Sequence, residues 1–182
     1  MAAARTPRGH WIDAGLLALA AGGPDAVRVE RLARDLRVTK GGFYWHFSDR
    51  AALLHELLET WERRGVDDVI SLVDAQGGDG RAKLLRLFTS TRSIPNALAV
   101  ELALRDWARR DKKVARRVRR VDNRRIEYLR SLFREFCADD EDVEARSLLV
   151  MTLFVGNPLV AADHGDLSRD DVLRLIGQRL LA

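Results

Sequence analysis

One cysteine, Cys137, excludes an internal disulfide framework and any zinc site built on paired cysteines. Only 4 prolines and 13 glycines interrupt the 182 residues, and β-branched runs are scarce, so little opposes helix while Ala, Leu, Arg and Glu favour it. The most apolar run, Leu148 to Ala162, contains Asn157 and Pro158 and falls short of the roughly 18 residues that span a bilayer. Near the N-terminus the apolar stretch is broken by Asp13 and lacks a persuasive cleavage site, so no signal peptide is expected. The expectation is a cytoplasmic protein with no membrane partner. His10, His46, His55 and His164 show no paired metal-ligand spacing, and there is neither a G-x-S-x-G elbow nor a recognisable catalytic group of carboxylates. No enzyme, metal or cofactor is expected.

What is present is the composition of a globular chain, 47% apolar and 32% charged. The net charge of +4 suits an anionic partner. The basic residues are overwhelmingly arginine, which forks phosphates and carboxylates but is also what a GC-rich genome encodes.

Helical spacing organises the whole chain. Thr6-Pro7 reads as N-cap and first position of a helix through Ala21, with Ile12, Leu16, Leu19 and Ala20 on one face and Gly22-Gly23-Pro24 as its stop. Short helices follow at about Val29–Leu36 and Thr39–Phe47, and Ser48-Asp49 opens a longer one towards Leu72. Gly77-Gly78-Asp79-Gly80 is a loop, and its spacing to Lys83 is not that of a phosphate-cradling loop. Further helices are predicted at about Ala82–Thr91, Asn96–Arg110, Lys112–Cys137, Asp142–Ala162 and Asp170–Leu181, with Pro95 and Asp139–Asp142 as boundaries. Pro158 should bend or interrupt the penultimate helix.

Residues 29–47, VERLARDLRVTKGGFYWHF, place two short amphipathic helices two or three residues apart, the pattern of a helix-turn-helix. Phe43 and Phe47 are four apart and suit an inward face against Leu32 and Leu36, which turns Gly42, Trp45 and His46 outward. Gly41 and Gly42 each cost about 1 kcal/mol relative to Ala in a helix, yet leave backbone free to approach a phosphate or base edge. Lys40 in the first turn opposes the helix dipole, a poor placement locally and a sensible one beside a phosphate. Tyr44 and His46 add hydrogen-bonding tips, and Arg50 adds charge at the start of the next helix. Singly, each of these residues is more often turn, surface or core. The ordered set T-K-G-G-F-Y-W-H-F after L-A-R-D-L is what is specific.

That set, with A-L-L-H-E-L-L after Phe47, closely resembles the tetracycline-repressor (TetR) family of bacterial transcriptional regulators over about Trp11 to Leu58. The resemblance implies an all-α fold: a three-helix DNA-binding domain (1–48) and a helical domain (49–182) that binds a ligand and dimerises. Carried over by position, Lys40, Gly41, Gly42, Tyr44, Trp45 and His46 lie on or beside the recognition helix, with Thr39 at its cap and Arg50 after it. Two residues depart from the family pattern. Arg28 stands where Ser or Thr usually caps the second helix, although its guanidinium can still reach DNA, and Arg37 stands where Gly usually turns left-handed.

From Arg105 to Arg134 there are 13 basic and 4 acidic residues above a buried stripe of Val114, Val118, Val121, Ile126, Leu129 and Phe133. Such a run is more often a solvated face than a nucleic-acid contact, and Arg105, Asp106, Asp122 and Arg125 could pair between neighbouring helices. Trp61, Phe88, Trp107 and Phe154 are candidates for lining an apolar cavity, or for plain core. The resemblance implies that the last two helices pair with those of a second copy through Leu149, Leu153, Val172, Leu175, Ile176 and Leu180; a monomeric core is the alternative. The function expected is a homodimeric regulator, a repressor released from a palindromic DNA operator by a small apolar or amphipathic effector. A helical small-molecule enzyme, or a module binding RNA or protein through its basic helix, is the rival.

Overall fold

The computed structural model describes residues 6–90 and 96–182, with the side chains at 89 and 90 left aside. All regular structure among these residues is helical: α1 (Arg8–Gly22), α2 (Val29–Asp35), α3 (Lys40–Tyr44), α4 (Arg50–Glu62), α5 (Asp68–Ala75), α6 (Gly80–Ser90), α7 (Ala97–Ala108), α8 (Lys112–Phe133), α9 (Asp140–Gly156) and α10 (Arg169–Leu180). The chain forms two compact units, residues 1–67 with 95–121 and residues 68–94 with 122–182. The expected DNA-binding head, 1–48, lies within the first.

In the first unit the core gathers Trp11, Leu19, Val27, Leu32, Phe43, Leu53, Leu57, Leu104 and Val114, all nearly inaccessible. Helix α1 packs on α2, α4 and α7. A Cβ at Gly15 would stand 2.9 Å from Leu57 Cδ2, so the missing side chain lets α1 and α4 approach. Two polar side chains, Thr60 and Glu101, are buried in this core. Glu101, 2% exposed, accepts from Trp61 Nε1 at 2.9 Å and faces the Arg105 guanidinium at 2.7 Å. A carboxylate this buried requires such partners.

In the second unit Leu84, Leu129, Leu132, Phe133, Val143, Val150, Met151 and Leu181 form the core, with Phe88, Ile126, Phe136 and Phe154 packed against it. The stripe expected on α8 is buried throughout, Ile126 partly so. Ser168 caps α10 reciprocally with Asp171, a complete capping box.

Several boundaries differ from the sequence reading. Helix α1 starts at Arg8 with Pro7 rather than Thr6 at the cap position. Helix α3 stops at Tyr44, and Phe47 follows on a turn. The helix opened by Asp49, whose carboxylate accepts from the Ala52 amide at 2.7 Å, passes through a π-helical turn at Arg63–Asp67 before α5. No periodicity rule anticipates an extra residue inserted in a helix. Helix α8 ends at Phe133, four residues before Cys137. Helix α9 ends at Gly156, and Pro158 sits in a 3-10 turn, Asn157–Leu159, so the proline interrupts the helix instead of bending it to Ala162. The boundaries expected at Thr91 and Pro95 lie outside the described residues.

Candidate nucleic-acid interface

Helices α2 and α3 are joined by a turn whose hydrogen bonds identify it. The Val38 amide donates to Ala33 O at 2.9 Å and the Arg37 amide to Arg34 O at 3.0 Å, the paired bonds of a Schellman motif. Arg37 takes φ +57°, the left-handed conformation normally left to glycine. The turn therefore keeps its geometry at a cost of about 1–2 kcal/mol for carrying a Cβ there. Thr39 is extended at the cap position of α3, but its side chain makes no cap bond. Arg28 occupies the cap position of α2, also without a cap; its Nε instead donates to Asp25 O at 3.1 Å.

Phe43 anchors α3 from behind. Its ring meets Trp11 edge-on at 5.5 Å and stacks on Phe47 at 5.3 Å, and the Arg8 guanidinium lies 5.0 Å over Phe47. Aromatic pairs in these geometries contribute about 0.5–1.5 kcal/mol beyond area burial. Phe43 and Phe47 thus point inward as their spacing predicts, with Leu32 buried and Leu36 half-buried.

The opposite side of α3 faces solvent. Tyr44 is 60% and Trp45 69% exposed, large values for such apolar rings. Gly41 is open and Gly42 half-buried. A Cβ on Gly41 would meet nothing closer than Thr39 Oγ1 at 3.7 Å, and one on Gly42 nothing closer than Trp11 Cζ2 at 3.7 Å. Both φ angles lie outside the positive region. Neither packing nor backbone conformation within the protein requires two glycines in this helix.

Lys40, His46 and Arg50, around α3, are partnered. Lys40 Nζ lies 2.7 Å from Glu30 Oε1 across the turn, and the bond holds the Glu30 carboxyl below its ordinary range. His46, expected to face outward, is instead half-buried: its Nε2 donates to Thr6 O at 2.9 Å, tying the end of the α3 segment to the start of α1. Arg50 Nε donates to Val27 O at 2.6 Å and Nη2 to Pro24 O, so its guanidinium secures the α1–α2 connection. Sequence reasoning missed Glu30 and Arg8. Arg8 makes a two-pronged bond to Glu56 at 2.9 and 2.7 Å, and no short-range spacing rule relates residues 48 apart.

The remaining candidates separate between the units. Trp61, nearly buried, and Trp107, half-buried, belong to the first; Phe88 and Phe154, half-buried, belong to the second. Phe88 lies beside Gly177, and Arg125 stands 5.3 Å over Phe154. On α9 Leu149 is 55% exposed and Leu153 half-buried, and on α10 Val172, Leu175, Ile176 and Leu180 are half-buried. Arg105 pairs with Glu101, Arg110 with Asp106 and Arg125 with Asp122, each three or four residues apart, while Arg117 and Arg120 on α8 reach Glu62 of α4 and Arg130 reaches Glu144 of α9. Among the described residues no group of three or more His, Cys, Asp or Glu side chains is placed to hold a metal, and no helix is long and apolar enough to cross a membrane.

A short helix pinned from behind by aromatics, joined to its predecessor by a tight turn and open on its other face, is a DNA-binding helix-turn-helix. Residues 12–57 match the family model described as bacterial regulatory proteins, tetR family. Among solved structures, a TetR/AcrR-family transcriptional regulator from Thermobifida fusca superposes with a TM-score of 0.65 at 17% identity, covering 96% of each chain. Reduced NemR of E. coli gives 0.67 at 14%, covering 95% of this chain and 94% of that one. FadR of Bacillus subtilis, solved in complex with stearoyl-CoA, gives 0.66 at 15%, covering 96% of each. No curated protein sequence matches the chain. The match to the tetR-family model thus covers the helix-turn-helix segment, and the chain as a whole has the fold of TetR/AcrR-family regulators.

Proposed function

We propose that the protein is a homodimeric repressor that reads a palindromic DNA operator and is released from it by a small apolar or amphipathic molecule. The observation that carries this reading is the outward face of α3. Two glycines that the protein's own packing does not need lie beside Tyr44 and Trp45, on a helix fixed by Phe43 and Phe47. That face suits close approach of a groove wall, with Gly41 admitting the phosphate chain and Tyr44 and Trp45 supplying contact. Lys40 and Arg28 supply charge at its edges, Thr39 the entry to the helix, and His46 and Arg50 keep the flanking segments in place.

The homodimer is supported by apolar surface in the second unit. Leu148 and Leu149 on α9 are both more than half exposed, and Leu153 continues the row. Val172, Leu175, Ile176 and Leu180 lend α10 a partly open apolar side. A second copy related by a two-fold axis would cover these side chains and set two α3 helices to read matching half-sites. The effector is supported by the complex of B. subtilis FadR with stearoyl-CoA, a molecule with a long apolar chain. Release requires the effector to bind the DNA-free form more tightly, since equal affinity for both forms shifts nothing.

The test is binding to an operator recovered from bound genomic fragments. Lys40→Ala and Tyr44→Ala should weaken it without altering folding or the association state, and Lys40→Ala should lower the salt slope by about 1. Unchanged affinity and slope in both variants would overturn the assignment of this face.

A further inference from the structure

We infer that the first turns of α8 form a second, sequence-independent binding face for the phosphate backbone of double-stranded DNA, separate from the helix-turn-helix. Within the first unit, Lys112, Lys113, Arg116 and Arg119 are exposed. At 3.6 residues per turn Lys112, Arg116 and Arg119 fall in one row, with Lys113 beside it. The opposite side of the same turns, Val114 and Val118, is buried, so the cationic row is fixed outward.

The carboxylates of these surroundings are already committed. Glu62 faces Arg117 at 2.5 Å and Arg120 at 3.1 Å, Asp106 faces Arg110, and Asp111 accepts from the amides of Lys113 and Val114. The side chains of Lys112, Lys113, Arg116 and Arg119 make no ion pair or hydrogen bond among the described residues. No acidic residue occurs between Lys112 and Val121. Four like charges on one face repel one another, and a regularly spaced polyanion removes that repulsion.

Duplex DNA fits this face better than the other polyanions. No apolar or aromatic side chain is exposed between Lys112 and Arg120, so nothing there would insert into a lipid layer or stack on unpaired bases. What is offered is charge at helical intervals, which phosphates accept without regard to sequence. The face does not depend on the head reading an operator.

The experiment uses the full-length protein and a short duplex of scrambled sequence, titrated between about 50 and 200 mM salt, where counterion release dominates affinity. The variant K112Q/K113Q/R116Q/R119Q should bind this duplex at least about tenfold more weakly at the lower salt, with a log–log slope shallower by up to about 3.6, near 0.9 for each phosphate no longer neutralised. The charge-keeping variant R116K/R119K should behave as the parent, and both should unfold at the parent's temperature. The head variant K40A/Y44A should keep the contribution of the α8 face, which separates this inference from the operator reading. A quadruple variant with the parent's slope and affinity, or with a lowered unfolding temperature matched by R116K/R119K, would overturn it. So would tighter binding of the parent to phosphatidylserine vesicles or to single-stranded RNA than to the duplex, abolished in the quadruple variant.

Discussion

The Lys40 ammonium lies 2.7 Å from the Glu30 carboxylate, across the turn that joins the two helices of the DNA-binding motif. Both side chains are more than half exposed, so the pair adds little to folding, but it occupies the cation on the outward edge of α3. A phosphate approaching Lys40 must compete with Glu30 and is repelled by it. Glu30→Gln should therefore bind operator several-fold more tightly than the parent at low salt, the gain shrinking as salt rises. Titrations at two ionic strengths measure this, and weaker binding by the variant would show that Glu30 positions Lys40 for contact.

Arg37 carries the conformational cost of the turn. Replacing it with glycine keeps the bonds from Val38 to Ala33 and from Arg37's own amide to Arg34, and removes the crowded Cβ. Arg37→Gly should stabilise the protein by about 1 kcal/mol, or roughly 2–4 °C in unfolding temperature for a chain of this size. A lower unfolding temperature on calorimetry would mean that the Arg37 side chain contributes something the backbone geometry does not show.

Gly80 illustrates the opposite constraint. A Cβ there would fall inside contact distance of the Leu132 carbonyl oxygen, and the Gly80 amide donates to Glu135 at 2.6 Å. Gly80→Ala should destabilise by about 1–3 kcal/mol through forced separation of α6 from α8. Urea unfolding with an unchanged m-value and a lower midpoint is the expected signature.

Acid should loosen the tie between α1 and α4. Hydrogen bonding from Arg8 holds the Glu56 carboxyl below its ordinary range. The unfolded chain therefore binds this proton more readily than the folded one, and stability rises with pH through the window between the two values. Glu56 contributes fully above the unfolded carboxylate range, and its contribution is lost as pH falls through the lower folded value. Glu56→Gln should flatten the acid limb of the stability profile and leave the slope at neutral pH as it was, measured by thermal unfolding across acidic buffers.

Most of the fold was legible because helix periodicity is a local signal. The inward pair Phe43 and Phe47, the stripe on α8 and the stop at Pro158 follow from spacing and from proline's missing donor. The ends of α3 and α9 ran shorter than periodicity suggests, since apolar residues continue past the last helical bond. The π-helical turn after α4 left no trace in the pattern. At the site, residue types were readable but pairings were not. Glu30 with Lys40, His46 with Thr6 and Arg50 with Val27 join positions 10 or more apart, brought together only by the turns between them.

The account rests on the outward face of α3 reading duplex sequence, and selection from a library of random duplexes measures that directly. The parent protein should enrich an inverted repeat whose half-sites lie about one helical turn, or a whole number of turns, apart. The K40A/Y44A variant should enrich none. Recovery of no common sequence by the parent, or of the same repeat with equal affinity by the variant, would contradict it.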